Sequence, residues 1–161
     1  MRVMGCLDGT NAELIGYAVQ MFTTSAPLTV ALLAVIDEGP RKDLDRMRER
    51  FWRPPIHRKP VSKEIETAES ASAEETLKAA LAYAKGAETL VRQGRPELEI
   101  VNAAAEWKAD VIVIGAHAEY GEPPRVGPHS VGHVARFVLD HAPCPVLLVR
   151  PLAREQFPIN R

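Results

Sequence analysis

The last third of the chain, residues 110–150, constrains the fold more than any other stretch. It reads DVIVIGAHAEYGEPPRVGPHSVGHVARFVLDHAPCPVLLVR. Apolar runs at Val111–Ile114 and Val146–Val149 predict two buried strands, and the segment between them predicts a glycine-containing loop and then a helix over Gly132–His141. Loops that lead from a strand into a helix often hold anions, because the helix N-terminus presents unpaired N–H groups and a positive dipole end. The segment therefore predicts an α/β protein with a candidate phosphate site.

The remainder of the chain repeats this alternation. Strands are predicted over 2–8, 28–36 and 87–92, and helices are predicted to begin at the capping box Thr10–Glu13, at the capping box Ser72–Glu75 with Gly86 as its stop, and at Pro96. The second strand, LTVALLAVI, is apolar on both faces, as in a sheet that is covered by helices on both sides. The pattern predicts a single-domain α/β fold of the Rossmann-like type, in which a five-stranded parallel sheet is sandwiched between helices.

Two stretches fit this pattern less well. Residues 38–62 form an irregular excursion from the domain that we predict over 1–150, and residues 151–161 are predicted to be a C-terminal extension. Within the excursion, 43–52 could be a short amphipathic helix, and the adjacent Phe51 and Trp52 could form a partner-binding patch. A partly ordered surface segment is the simpler interpretation.

Composition excludes several classes of function. The 161 residues include 20 basic and 21 acidic side chains, so the formal net charge is −1 and a general affinity for nucleic acid or anionic membranes is not expected. Apolar runs are too short to cross a bilayer, and the N-terminus lacks the apolar core of a signal peptide, so we expect a cytoplasmic protein. The two cysteines, Cys6 and Cys144, are expected to be reduced and buried, with a disulfide as the alternative.

Five sequence blocks together resemble the universal stress protein family. They are Leu7–Thr10 after the first strand, Ala34–Asp37 at the end of the second, Gly94–Pro96 before the third helix, Ala109–Gly115 around the fourth strand, and Asp140–Arg150. The resemblance covers nearly the whole chain and is most specific in the last block. It implies a five-stranded α/β sandwich, relatives that bind adenine nucleotides and relatives that do not, and a homodimer formed through the last strand, Val146–Arg150.

The resemblance also implies where a nucleotide would bind. Asp8 matches the family aspartate near the adenosine, and Val35 matches the position whose backbone meets the adenine. In nucleotide-binding members the loop after the fourth strand follows the pattern Gly-x2-Gly-x9-Gly-Ser/Thr. Carried over to this chain, the pattern falls on Gly115, Ala118, Gly132 and His133, and it includes His117 between the first two.

The chain departs from that pattern in three ways. Ala118 replaces the second glycine, His133 replaces the hydroxyl residue, and residues 119–131 separate Ala118 from Gly132 where the pattern has only nine positions. Counting forward from Ala118 instead brings Pro128 and His129 to the last two positions, so neither register satisfies the motif. Prolines in the loop remove N–H donors, whereas Arg125, His117, His129 and His133 could supply cationic contacts to an anion.

The functional prediction is a non-catalytic, homodimeric regulatory or binding protein of the stress response. It would have a degenerate adenine-nucleotide site and an unidentified regulatory protein partner. The alternatives are a stress protein that binds ATP or AMP and a slow ATP hydrolase with Asp8 as base. No metal is predicted: His117, His129 and His133 lack a fixed acidic or cysteine ligand and are more simply polar loop residues.

Overall fold

A computed structural model describes residues 1–22, 27–38, 61–116 and 130–150, with the backbone alone for 61–67. The strands are β1 (Arg2–Leu7), β2 (Thr29–Asp37), β3 (Glu88–Gly94), β4 (Val111–Gly115) and β5 (Val146–Val149), and the helices are α1 (Ala12–Gln20), α2 (Val61–Leu81), α3 (Pro96–Glu106) and α4 (His133–His141). The predictions for residues 39–60 and 151–161 lie outside these ranges.

The strands form one parallel sheet in the order β3-β2-β1-β4-β5. β1 is central, since Val3 pairs with Val30 on one side and with Val111 on the other. The chain first builds the sheet outward through β2 and β3, then returns to the far side of β1 for β4 and β5. The predicted five-stranded α/β sandwich is confirmed. The reversal of direction beside β1 is the place where open α/β sheets bind ligands.

The helices cover both faces of the sheet. On one face Met4 and Ile112, both fully buried, pack with Ile100 of α3 and Val138 of α4. On the other face, side chains of α1 and α2 pack against strand residues and form a second hydrophobic core. Its buried members are Val3, Ile15, Ala18, Val19, Leu32, Ala34, Leu77, Ala80 and Val113. Because successive strand residues point to opposite faces, both faces must be apolar, which explains the uninterrupted runs in the sequence.

Two predicted helix starts are wrong. α2 begins at Val61, so Ser72 lies inside the helix, where its carbonyl accepts a hydrogen bond from Thr76 Oγ1 at 2.9 Å. The polar run around Ser72 is an exposed helix face, and such a face can have the same composition as a capping box. α2 ends at Leu81, and Gly86 (φ 80°) belongs to the turn before β3 rather than to the end of the helix.

The second error concerns α1. Its N-cap is Asn11, whose side chain forms no capping bond, and the helix begins at Ala12. The capping box predicted from Thr10 and Glu13 is therefore not formed. A carboxylate from outside the helix, that of Asp8, accepts the local N–H groups instead. In contrast, α3 begins at Pro96 as predicted, and β5 has its predicted bounds.

Candidate functional site at the carboxyl edge of the sheet

Three positions predicted from the sequence converge where β1, β2 and β4 end. Leu7 is paired with Ala34 and Cys6 with Ile114, so Asp8, Val35 and Gly115 follow directly on neighbouring strands. A Cβ atom built on Gly115 would lie 3.8 Å from Asp8 Oδ2, which measures how closely β4 approaches β1 here. Val35 is half-buried and lies one residue beyond the last β1–β2 pair. We call this region the carboxyl-edge site.

The Asp8 carboxylate organises the turn between β1 and α1. Its Oδ1 accepts hydrogen bonds from the backbone N–H of Thr10 at 2.9 Å, from Thr10 Oγ1 at 3.0 Å and from the backbone N–H of Asn11 at 3.0 Å. The negative charge also lies at the positive end of α1, where it is favourable. Asp8 is exposed, so its second oxygen can still reach a ligand.

Asn11 is a component of the site that the sequence analysis missed. It is 9% exposed; its Nδ2 donates to the Cys6 carbonyl at 3.1 Å, and its Oδ1 accepts from the Asp8 N–H at 3.1 Å. A Cβ on Gly115 would come within 3.1 Å of Asn11 Nδ2, so the glycine leaves room for this amide. The available signal was the spacing Asp8-x-x-Asn11, which allows reciprocal side-chain to backbone bonds across a turn.

The other predicted positions lie at or before the start of α4. Gly132 is the N-cap with φ −60° and ψ 159°, and its carbonyl accepts from the Arg136 N–H at 3.0 Å. His133, the first residue of the helix, is exposed. The backbone at Gly132 is one that any residue adopts, so glycine is not required there for conformation. His117 and Ala118 lie outside the described residues.

The start of α3 carries a buried carboxylate that the sequence analysis also missed. The side chain of Glu97 is 8% exposed and accepts hydrogen bonds from the exposed Arg95, from Nε at 2.8 Å and also from Nη2. Burial by itself raises the pKa of Glu97, but its own backbone N–H, the Arg95 guanidinium and the charge of His133 together hold that pKa below its ordinary value. Glu97 is therefore ionised at neutral pH.

Topology and packing locate α3 relative to α4. Each helix follows a parallel strand and returns the chain toward the opposite edge, so both helices begin at the carboxyl edge. The two helices pack against each other through one hydrophobic core that includes Ile100 and Ala135. Arg95, Glu97 and His133 consequently lie at the carboxyl edge of the sheet, on the face that α3 and α4 cover.

Both cysteines are unpaired thiols, as predicted. Cys6 is buried, but Cys144 is only half-buried, so the prediction of burial is correct for Cys6 alone. Burial first, and then the neighbouring Cys144, raises the pKa of Cys6 to about 12. In residues 1–22, 27–38, 61–116 and 130–150 no group of three or more His, Cys, Asp or Glu side chains is arranged to hold a metal ion. His117 and His129 are outside those ranges, so that prediction stays open.

Comparison with known proteins identifies the family. The model of the universal stress protein family matches residues 4–150. This chain belongs to the universal stress protein family. The match runs from β1 to the residue after β5, so it includes all of the strands on which the carboxyl-edge site is built.

Individual relatives agree with this assignment. A universal stress protein from Thermus aquaticus, encoded 3′ of a QAH/OAS sulfhydrylase, is 36% identical over 96 residues, which are 60% of this chain and 65% of the relative. The match thus spans less than two thirds of that relative's length. The structure of UspA from Lactobacillus plantarum has a TM-score of 0.63 and 24% identity, covering 93% of this chain and 97% of the other. A family protein from Arabidopsis thaliana, solved with AMP bound, has a TM-score of 0.60 and 15% identity, covering 99% and 97%.

The length and hydropathy of the helices bear on whether the chain could cross a membrane. Within the part of the chain that the structure describes, none of them is both long enough and apolar enough to cross a bilayer.

Proposed function

We propose that this universal stress protein is a non-catalytic regulatory protein that binds an adenine nucleotide at the carboxyl-edge site. The observation that carries the proposal is the convergence of Asp8, Val35 and Gly115 at the reversal point of the sheet. Asp8 offers an acceptor to a ribose or base. Val35 lies beyond the last residue of β2 that pairs with β1, so its backbone is offered to the base. The start of α4 offers N–H groups to a phosphate. AMP in the Arabidopsis relative supports this ligand class.

A specific observation favours a second candidate, a module of the same fold that uses no nucleotide. His133 stands where the family pattern has a hydroxyl, and Ala118 stands where it has a glycine. These changes bear on the phosphate end of the site and leave the base end at Asp8 and Val35 intact. If the first proposal is right, the nucleotide contacts Asp8 and Val35 at the base end, and groups other than the family's glycine and hydroxyl hold its phosphate.

Isothermal titration with AMP and with ATP, each with and without Mg²⁺, tests the proposal. We expect saturable binding of at least one nucleotide. Absence of heat at millimolar nucleotide would favour the nucleotide-free module, as long as native mass spectrometry also finds no co-purified nucleotide.

We also propose that the protein has no hydrolase activity. Oδ1 of Asp8 accepts three hydrogen bonds that hold the carboxylate in the turn between β1 and α1, which supports a role in structure and ligand binding. The Asp8→Asn variant distinguishes the alternative. If the protein hydrolyses ATP and this substitution abolishes the hydrolysis, then Asp8 is a base and the non-catalytic proposal is wrong.

Homodimerisation through Val146–Arg150 and a cytoplasmic location are further parts of the proposal. β5 is an edge strand, and each of its four residues is only half-buried within the single chain, so a second copy could cover it. The free thiols fit a reducing compartment. Sedimentation at micromolar concentration should give a dimer, and a monomer would contradict that assembly.

A further inference from the structure

The ion pair at the start of α3 joins one buried and one exposed side chain. The side chain of Glu97 is 8% exposed, whereas that of Arg95 is 66% exposed. Both Nε and Nη2 of Arg95 donate to the same oxygen, Oε1 of Glu97. The carboxylate is thus fixed inside the protein, and it fixes one edge of the guanidinium.

Among the residues that the structure describes, this arrangement leaves the rest of the guanidinium available. A guanidinium carries five N–H donors in a planar fork, and only the Nε edge is directed toward Glu97. Because most of the Arg95 side chain is exposed, the remaining donors face solvent, with their direction set by a buried partner. Such a fork matches the geometry of a phosphate.

The location of the pair connects it to the ligand site. Arg95 is the N-cap of α3, which starts at the same edge of the sheet as α4. The two helices pack against each other through Ile100 and Ala135, so their starts lie on the same face of the sheet. His133 occupies the position where the family pattern has its hydroxyl residue, so the phosphate end lacks this group. Arg95 begins the helix that packs beside α4.

We propose that Arg95 contacts the phosphate of the bound nucleotide and that Glu97 is the positioning residue that orients it. The inference rests on the proposed function and adds to it: the ligand is a phosphorylated adenosine, and its phosphate is recognised from α3 as well as from α4. A purely structural ion pair would instead stabilise the start of α3, and its loss would change the affinities for adenosine and for AMP by the same factor.

Titration of the full chain with AMP and adenosine separates these roles. Arg95→Gln should weaken AMP binding about tenfold, the equivalent of one hydrogen bond to a charged group, and should leave adenosine binding unchanged. Glu97→Gln should weaken AMP binding by a smaller factor, about threefold, and should have no further effect in the Arg95→Gln background. Arg92→Gln is the matched control, because it breaks an exposed arginine–glutamate pair between β3 and the last residue of α3 and should change neither affinity.

The outcomes distinguish this inference from the proposed function. If wild-type protein binds AMP and Arg95→Gln binds it equally well, or loses affinity for AMP and adenosine to the same degree, the role of Arg95 is refuted and the proposed function stands. If wild-type protein binds neither AMP nor adenosine, the proposed function itself fails. Thermal unfolding of each variant confirms that the comparison is made on folded protein.

Discussion

At the scale of single residues, the carboxyl-edge site depends on polar groups that hold each other. Asp8 was predicted from the sequence because it directly follows a buried strand. Asn11 was not predicted, since its burial results from the approach of β4 through Gly115, more than a hundred residues later. Glu97 was missed for the same kind of reason: a glutamate in the first turn of a helix is ordinary, and only the packing of α3 beside α4 buries it.

Glu97 gives a prediction about acid stability. Its pKa in the folded state is below its ordinary value, so ionisation of Glu97 stabilises the fold at pH values above the ordinary pKa of a glutamate. That contribution is lost as pH falls through the folded-state pKa. At neutral pH we expect Glu97→Gln to lower the free energy of unfolding by about 1.5–3 kcal/mol, the range for a hydrogen bond to a charged group. Urea denaturation of both proteins between pH 7 and about pH 3 measures the difference.

The direction in which the stability difference changes with pH tests the role of the Glu97 charge. The difference in the free energy of unfolding between wild type and Glu97→Gln should stay constant above about pH 5.5 and should narrow below pH 4.5, the ordinary pKa of a glutamate. A gap that is independent of pH, or one that widens in acid, would show that the negative charge of Glu97 does not contribute to folding.

At the scale of elements, hydrophobic patterning was a better guide than local polar motifs. β5 was predicted correctly because its apolar run by itself indicates a buried strand. The start of α3 was predicted correctly because proline is favoured in the first turn of a helix. The start of α2 was predicted eleven residues late, since the sequence around Ser72 has the composition both of a capping box and of an exposed helix face. Patterns of two or three polar residues do not distinguish these environments.

The contact between α1 and the turn that follows α2 gives a second prediction. A Cβ on Gly16 would lie 2.3 Å from the Cβ of Tyr83, too close for two carbon atoms. Alanine favours an isolated helix over glycine by about 1 kcal/mol, but here α1 and that turn would have to separate. We expect Gly16→Ala to lower the free energy of unfolding by about 1–3 kcal/mol, as overpacked cores do.

Chemical denaturation compares this variant with Tyr17→Ala. Tyr17 is the next residue along α1 and is 61% exposed, so its substitution raises helix propensity without entering the contact. It should change the free energy of unfolding by less than about 0.5 kcal/mol. If Gly16→Ala were as stable as Tyr17→Ala, then Gly16 of α1 and Tyr83 would not be in the close contact described.

At the scale of the whole molecule, the buried central strand gives a third prediction. Cys6 is 4% exposed and its pKa is raised to about 12, so its thiol can react only after the sheet opens. The Cys144→Ser variant leaves Cys6 as the single thiol, and its labelling rate with a disulfide reagent should follow the population of unfolded protein in urea. Rapid labelling of the native protein would show that the sheet opens locally at β1.

The overall architecture could be predicted because both faces of the sheet must be apolar and because strands and helices alternate. Strand order was not predicted, since patterning does not specify which strand pairs with which. The state of the phosphate end could not be predicted either, because it depends on how side chains from α3 and α4 meet in space. Arg95 lies inside the recognisable block Gly94–Pro96 and Glu97 directly follows it, yet the helix that packs beside them, α4, comes much later in the chain.

The central position of β1 also affects how the protein is synthesised. β1 pairs with β2 about 27 residues later, but Val3 must wait for Val111 before its other side is paired. A chain that emerges from the ribosome can therefore assemble β1, β2 and β3 with α1 and α2 while Met4, Cys6 and Leu33 still lack their covering helices. We expect the nascent half-sheet to expose one apolar face until residues 96–141 are made, and to be a preferred substrate for ribosome-associated chaperones during that interval.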